Sequence, residues 1–409
     1  MKRCISFAFV VSFCPMANDH LTRQIVLRKK EERRIVAGHP WAYSNEIQEV
    51  RGTPGAGDVV ELLSAGGVSL GVGFYHPHSL IAYRHLASEI QDIDPAFFAR
   101  RLRDALALRT AMLGDSDAYR LVHGESDFLP GLIVDRFGDV VSIQAFSAGM
   151  DRRLPEICDA IQDLLSPAAI VERNESALRT LEELPMRKGF LRGSKSETEF
   201  TENGIRYAVD ALEGQKTGFF LDQRMNRARV KAFARGRSVL DCFCNDGGFS
   251  LNAAAGGASD VLGIDSSAEA IARASKNAGR NGLGNCSFEQ ADVFTKLPAL
   301  AGEGRSFDIV ILDPPSFTRS RKSVPMAKKG YRELHRDALK VLKPGGLLAT
   351  SSCSHHILPE TFLSIIDETC HEANRPAQML EWAGAAPDHP VLPGVSETRY
   401  LKFGVFLVR

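Results

Sequence analysis

This chain has no excess charge of either sign. Its 50 lysines and arginines balance 50 aspartates and glutamates. Net charge therefore announces no nucleic-acid partner, which would have to be met by a local basic surface. Cysteine is sparse and scattered: Cys4, Cys14, Cys158, Cys242, Cys244, Cys286, Cys353 and Cys370 form no C-x-x-C pair and no Cys/His cluster with zinc-finger spacing. That pattern argues against a disulfide-stapled scaffold and a structural metal site, and reads as reduced thiols of a cytoplasmic protein. No apolar run is long enough to cross a membrane. Internal repeats and low-complexity segments are also missing. The 409 residues exceed one ordinary core, so two or three domains are expected.

The first residues imitate a short signal peptide, with Met1-Lys2-Arg3 ahead of an apolar stretch from Ile5 to Val11. The small-residue cleavage pattern is poor, and Val11-Ser12-Phe13-Cys14 is a weak lipoprotein box. Met16 opens a polar stretch and is the expected start. Residues 1–23 are then an extension outside the core.

Residues 24–92 read as all-β. The segments Asp58–Leu63 and Val68–Tyr75 alternate with period near two and are separated by Gly/Pro turns such as Gly52-Thr-Pro-Gly-Ala-Gly57, which suggests a small barrel. Residues 93–210 mix types. A helix is expected over Pro95–Met112, with Phe98, Leu102, Ala105 and Leu106 on its apolar face and Arg109 on the other. A hairpin turns at Gly138-Asp139, a helix follows over Asp151–Leu165, and strands start at Ala169 and Ile205. This is a small α+β module.

From residue 211 to 409 an α/β alternation takes over. Four stretches run apolar and stop on an acid: Val239-Leu240-Asp241, Gly263-Ile264-Asp265, Gln290-Ala291-Asp292 and Val310-Ile311-Leu312-Asp313. Ser266 and Ser267 cap a helix ending near Gly282, Lys343-Pro-Gly-Gly346 turns into a fifth strand, and Tyr400–Val408 suits a late strand running antiparallel. The pattern predicts a mostly parallel sheet with a row of carboxylates at its carboxyl edge, where ligands bind in open α/β folds. Such a row suits a ligand with a ribose, an amino group and a positive charge.

Chemistry-bearing residues concentrate at that edge. In Val239-Leu-Asp-Cys-Phe-Cys-Asn-Asp-Gly-Gly-Phe-Ser250, Gly247 and Gly248 fall between strand and helix and permit close backbone approach. The dinucleotide fingerprint is absent. Asp265 is placed for a ribose diol and Asp292 for an adenine edge, although each acid alone reads equally as a helix cap. Cys353 follows the fifth strand, with His355 and His356 next to it. By itself Cys353 also reads as a small buried hydrophobe. Arg319, Arg321 and Lys322, with Lys328, Lys329 and Arg332, make a basic loop suited to phosphates, or simply a solvated face.

Together, the Asp241–Ser250 loop, Asp265, Asp292 and Asp313-Pro-Pro-Ser-Phe317 resemble a class I S-adenosylmethionine-dependent methyltransferase. The segments Gly214–Arg227, Ser352-Cys353-Ser354, Gly38–Glu46 and Arg120–Arg136 narrow the resemblance. They are similar to the bacterial large-subunit ribosomal RNA cytosine-C5 methyltransferases that carry an N-terminal PUA domain. The resemblance implies a Rossmann-like methyltransferase domain with a seven-stranded sheet, preceded by a PUA β-barrel and the α+β module. It implies S-adenosylmethionine held by Phe219, Arg224, Asp241, Gly247, Gly248, Asp265, Asp292 and Asp313. It implies RNA as partner, touched by Phe317, Arg319, Arg321 and Lys322. A homodimer stays open.

The resemblance makes Cys353 the nucleophile that adds to carbon 6 of cytosine, with Asp313 against the ring nitrogen and Phe317 stacked on an extracted base. The likeness has a gap: many relatives carry a second cysteine where this chain has Pro315-Ser316, so Asp313 or a water is the expected acceptor of the carbon 5 proton. Two other readings stay open. One is methylation of an exocyclic amine through Asp313-Pro-Pro-Ser-Phe317, and the other is a non-catalytic RNA-binding assembly factor. Mass spectrometry of the natively expressed protein is expected to show a chain starting at Met16; an intact segment 1–15 would overturn that expectation.

Overall fold

The computed structural model describes residues 23–214, 217–318 and 320–409. The N-terminal extension with Met16, Gln215-Lys216 of the Gly214–Arg227 segment, and Arg319 of the basic loop lie outside the described residues.

Residues 24–87 form a six-stranded sheet in the order Trp41–Tyr43, Ile81–Ala87, Ser69–Tyr75, Val59–Leu63, Gln24–Leu27, Ile47–Arg51. Its pairs are antiparallel except Gln24–Leu27 with Val59–Leu63. Alternate residues Ile25, Leu27, Val60, Leu62 and Tyr83 fill its core, as a period-two pattern requires.

The next unit begins with a helix, Pro95–Leu113, capped by Asp94, whose carboxylate accepts from the Phe97 N–H at 2.8 Å. Arg109 does not face solvent as its position suggested. It is 1% exposed because its guanidinium is fully used, donating to the Asp127 carboxylate and to the carbonyls of Arg120 and Asp388. The strands Ala118–His123, Leu132–Phe137, Val140–Ala145, Ala169–Asn174 and Arg187–Arg192 form a mixed five-stranded sheet, with the hairpin turn at Gly138-Asp139. The helix anticipated over 151–165 is broken at Arg153 into Ala148–Arg152 and Leu154–Leu165. Pro155 lies in the first turn of the second piece, where its missing N–H costs nothing, but it could not continue a helix from before.

A separate hairpin, Glu197–Glu202 with Ile205–Asp210, turns on Asn203-Gly204, both at positive φ. It packs forward: Phe200, Tyr207 and Val209 meet Phe219, Leu221, Leu251 and Ala278.

The C-terminal sheet has strands β1 (Ser238–Cys242), β2 (Asp260–Asp265), β3 (Cys286–Gln290), β4 (Phe307–Leu312), β5 (Leu342–Ser352), β6 (Ala377–Ala383) and β7 (Lys402–Val408). The helices are α1 (Arg224–Phe233), α2 (Gly248–Ala255), α3 (Ala268–Arg280), α4 (Val293–Gly302), α5 (Val324–Val341) and α6 (Pro359–Glu372). The sheet order is β3-β2-β1-β4-β5-β7-β6, and only β7 is antiparallel to its neighbours. Successive residues of β1 point to opposite faces: Val239 joins the layer with Val230, Phe249 and Ala253 of α1 and α2. Leu240 joins Leu297, Tyr331 and Phe362 of α4, α5 and α6.

The hairpin is tied to this domain by a buried ion pair. Glu202, with no exposed side-chain surface, accepts two bonds from Arg227 at 2.6 and 2.9 Å, and Arg224 approaches to 3.4 Å. Removing one partner leaves a buried charge uncompensated. Glu202→Ala is therefore expected to destabilise the protein by about 3–5 kcal/mol, measured by urea unfolding followed by circular dichroism.

Candidate active site

The order of the sheet reverses between β1 and β4, and a crevice opens outside their carboxyl ends. A cavity of about 930 Å³ occupies it. Phe243, Cys244, Asn245 and Asp246 enter from the loop after β1, Asp265 and Ser266 from the end of β2, and Asp313, Pro314, Pro315 and Ser316 from beyond β4. Cys353 and His355 come from beyond β5, Tyr400 and Leu401 from the lead into β7, and Phe219, Phe220, Asp222 and Gln223 from the segment before α1.

The loop after β1 is wound tightly. Phe243, Asn245 and Gly247 all have positive φ, at 64°, 46° and 82°. Two of these are not glycine, a conformation held only where surrounding contacts impose it. Those contacts come from acids. Asp241, buried beneath the loop, accepts from the Ser250 N–H at 2.8 Å and its hydroxyl at 2.6 Å. Asp265 accepts from the N–H groups of Asn245 and Ser267. Asp241 Oδ1 and Asn245 Oδ1 are buried without a protein partner. Burial pushes the Asp241 carboxyl up to about 7, against the Ser250 hydrogen bonds that lower it, and Asp313 and Asp265 add to the rise.

Cys353 is partly exposed at the cavity wall. Asp313, from beyond the neighbouring strand β4, shares that wall and accepts from Gln223 Nε2 at 2.9 Å and from the Ser351 hydroxyl. Tyr400 donates its hydroxyl to Asp222 at 2.6 Å. Lys402 lies opposite Ser352 in the β5–β7 register and donates to the carbonyls of Ser354 and Tyr400, both at 2.7 Å. Burial holds its ammonium down at about 8, while Cys353 pulls the other way. Burial, Lys402 and His356 likewise lower His355, which favours its neutral ring.

Of the residues expected at the site, Phe219, Gly248, Asp265, Asp313 and Cys353 line the cavity. Asp241 and Gly247 lie just behind, shaping the loop. A Cβ on Gly247 would meet Ala274 and Phe288 at 3.2 and 3.3 Å. Three expectations need correction. Arg224 does not reach the cavity: its guanidinium turns to the α+β unit, donating to Ser116 Oγ and the Ala118 carbonyl. Asp292 is exposed and caps α4 through the Thr295 N–H. The Phe317 ring packs on Tyr331 with centroids 4.7 Å apart, and only its N–H, bonded to Ser354 Oγ, ties it to the segment beside Cys353. Arg321 and Lys322 are exposed on a short 3-10 turn outside the cavity wall, a position compatible with the phosphate contacts expected of them.

Gln223, Tyr400, Asp222 and Lys402 were missed. Gln223 and Asp222 fall inside a motif already singled out, whereas Tyr400 precedes and Lys402 opens a strand that only the antiparallel β5–β7 pairing brings to the site.

The profile of the S-adenosylmethionine-dependent methyltransferase family matches residues 185–406, and that of a PUA-like domain matches residues 25–88. The chain is similar to the ribosomal RNA large subunit methyltransferase I of Tolumonas auensis, with 37% identity, covering 93% of this chain and 98% of that one. The protein of the same name from Shewanella amazonensis matches with the same identity and coverage. Among solved structures, SMU.776 in complex with SAH superposes with a TM-score of 0.81 at 23% identity, covering 94% of this chain and all of the other, which establishes the fold.

The raised Asp241 carboxyl has a consequence for stability. The folded state holds a proton on Asp241 up to about pH 7, whereas an unfolded aspartate loses its proton near pH ~3.9. Its contribution is therefore full below the unfolded value and is lost as pH rises through the folded one. Asp241→Asn keeps an acceptor for Ser250 and removes the titration. Between pH 5 and pH 7.5 the urea midpoint of Asp241→Asn is expected to rise relative to wild type.

Proposed function

We propose, from the premise that this chain belongs to the S-adenosylmethionine-dependent methyltransferase family, that it methylates carbon 5 of a cytosine in large-subunit ribosomal RNA through a covalent bond to Cys353. The names of its relatives support the ribosomal RNA substrate, and the PUA-like domain supports contact with RNA. The observation that carries the chemistry is the shared cavity wall of Cys353 and Asp313 at the carboxyl edge of β4 and β5.

The cavity suits S-adenosylmethionine. Asp222, Asp246, Asp265 and Asp313 line it, and among the described residues the only arginine or lysine on its wall is Arg227, committed to Glu202. A wall of carboxylates favours a cationic ligand. Asp265 offers oxygens to a ribose diol, and Asn245 Oδ1 is a buried acceptor still lacking a donor. Phe219, Phe220, Phe243 and Leu401 give apolar flanks, and the first turn of α2 at Gly248 presents the positive end of its dipole. Bound there, S-adenosylmethionine supplies a methyl group activated by a sulfonium sulfur.

Cys353 supplies what cytosine lacks. Carbon 5 is a poor nucleophile until the thiolate adds to carbon 6, forming an S–C6 bond and moving the π electrons toward carbon 5. Asp313, pinned by Gln223 and Ser351, is positioned to meet the ring-nitrogen edge and hold the base in register with the sulfur. After carbon 5 has taken the methyl group, Asp313 or a water beside it accepts the carbon 5 proton. The electrons of that C–H bond restore the ring double bond and expel the Cys353 thiolate.

Cys353→Ala and Cys353→Ser are expected to abolish methylation of large-subunit ribosomal RNA, read by nucleoside digestion and mass analysis. Wild-type product should be 5-methylcytosine. A methyl on a purine amino group, or a Cys353→Ala enzyme working at the normal rate, would overturn the proposal. RNA transcribed with 5-fluorocytidine should form a denaturation-stable adduct with wild type and none with Cys353→Ala, because fluorine blocks the proton loss that frees the sulfur.

A further inference from the structure

Lys402 is an unusual lysine. It is 3% exposed, and its acceptors are two neutral carbonyls, those of Ser354 and Tyr400. An ammonium this deeply buried is costly when neutral carbonyls are its acceptors, and two bonds leave one of its three N–H donors for another acceptor. The group whose charge favours the ammonium is Cys353, one residue beyond Ser352, the register partner of Lys402. The cost is relieved when the neighbouring sulfur is negative.

We propose that Lys402 is a positioning residue that holds Cys353 as the thiolate, its ammonium serving as the fixed counter-charge of the sulfur. This rests on the reading of Cys353 as nucleophile. The step is an ionisation: the S–H bond breaks, the electron pair stays on sulfur, and the proton leaves to water in the open cavity.

Other groups around the pair do not supply that charge. Tyr400, beside Lys402, and Tyr331, on α5, are kept neutral by burial. His355, in the loop after β5, has its protonated form disfavoured by burial and by Lys402 itself. The Asp313 and Asp222 carboxyls act on Tyr331 and Tyr400 and, when ionised, oppose a further negative charge beside them, and Glu397 favours the protonated ring of His355. Arg120, across Tyr400, is committed to Asp135. Lys402 is thus the cation that offsets two nearby carboxylates, and thiol pKa falls beside a lysine.

The test uses the full-length protein without RNA or methyl donor, following iodoacetamide alkylation of Cys353 by peptide mass spectrometry from pH 5.5 to 9.5. Wild-type alkylation should reach its midpoint clearly below ~8.5, the ordinary value for cysteine. Lys402→Met should react about tenfold or more slowly at pH 7, as a one-pH rise in the midpoint requires, and Lys402→Arg should restore the wild-type profile. A wild-type midpoint at or above the ordinary value overturns the proposal without any variant. So does a Lys402→Met protein with a wild-type circular dichroism spectrum and an unchanged profile. Alkylation requires no methyl transfer, so this result stands apart from the Cys353→Ala activity test, whose failure would instead overturn the nucleophile assignment.

Discussion

The reversal of strand order between β1 and β4 is the constraint on which the rest depends. Chain segments leaving these two parallel strands depart to opposite faces of the sheet, α2 to one layer and α5 to the other. Backbone cannot fill the space between them, so a crevice forms there by topology alone. Most groups assigned a chemical task hang from the carboxyl ends of strands around that gap: Asp241 and Asn245 from β1, Asp265 from β2, Asp313 from β4, Cys353 from β5. The acids also shape the crevice, because Asp265 accepts from the N–H groups of Asn245 and Ser267 and Asp241 holds Ser250 at the far end of the left-handed β1 loop.

The cavity is closed by pieces from elsewhere in the chain. Gln223 reaches Asp313, and Tyr400 reaches Asp222, so the segment before α1 is held to both sides of the crevice. The α+β unit anchors the far wall: the Arg120 N–H donates to the Asp388 carboxylate and Arg109 to the Asp388 carbonyl. Polar contacts over such sequence separations inside a packed interior are firm when fully paired and costly when broken. The wall near Tyr400 therefore depends on the integrity of the second unit as well as the third.

The sheet, its acid row and the late antiparallel strand were legible in the sequence because strand periodicity and the residue after each strand are local signals. Cys353 and Asp313 were legible for the same reason, since the end of a parallel strand has a known address. Arg224, Arg109 and Phe317 were misplaced because their fate is decided by partners distant in sequence. Nothing near Arg224 announces that Ser116 and Ala118 will take its guanidinium, and nothing near Arg109 announces Asp127 and Asp388. Asp292 shows the reverse failure. Its local role as a helix cap was readable, and the regular spacing of the four acids overrode it. Lys402 could be found only by pairing, because a lone lysine at the head of Lys402-Phe-Gly-Val-Phe-Leu-Val408 looks like a strand boundary until β5 lies beside it.

β7 sits in the interior of the sheet although it is the last of the seven strands to be synthesised. Until residue 408 has been made, β5 presents a row of unsatisfied amides and carbonyls, and β6 has nothing to dock against. That naked border is the kind of template on which chains stick to one another, and β7 covers it only when it docks. The same delay works as a safeguard. The partly made enzyme carries its sulfur from the moment β5 is complete, yet the charge proposed to arm that sulfur arrives only with the strand that seals the sheet.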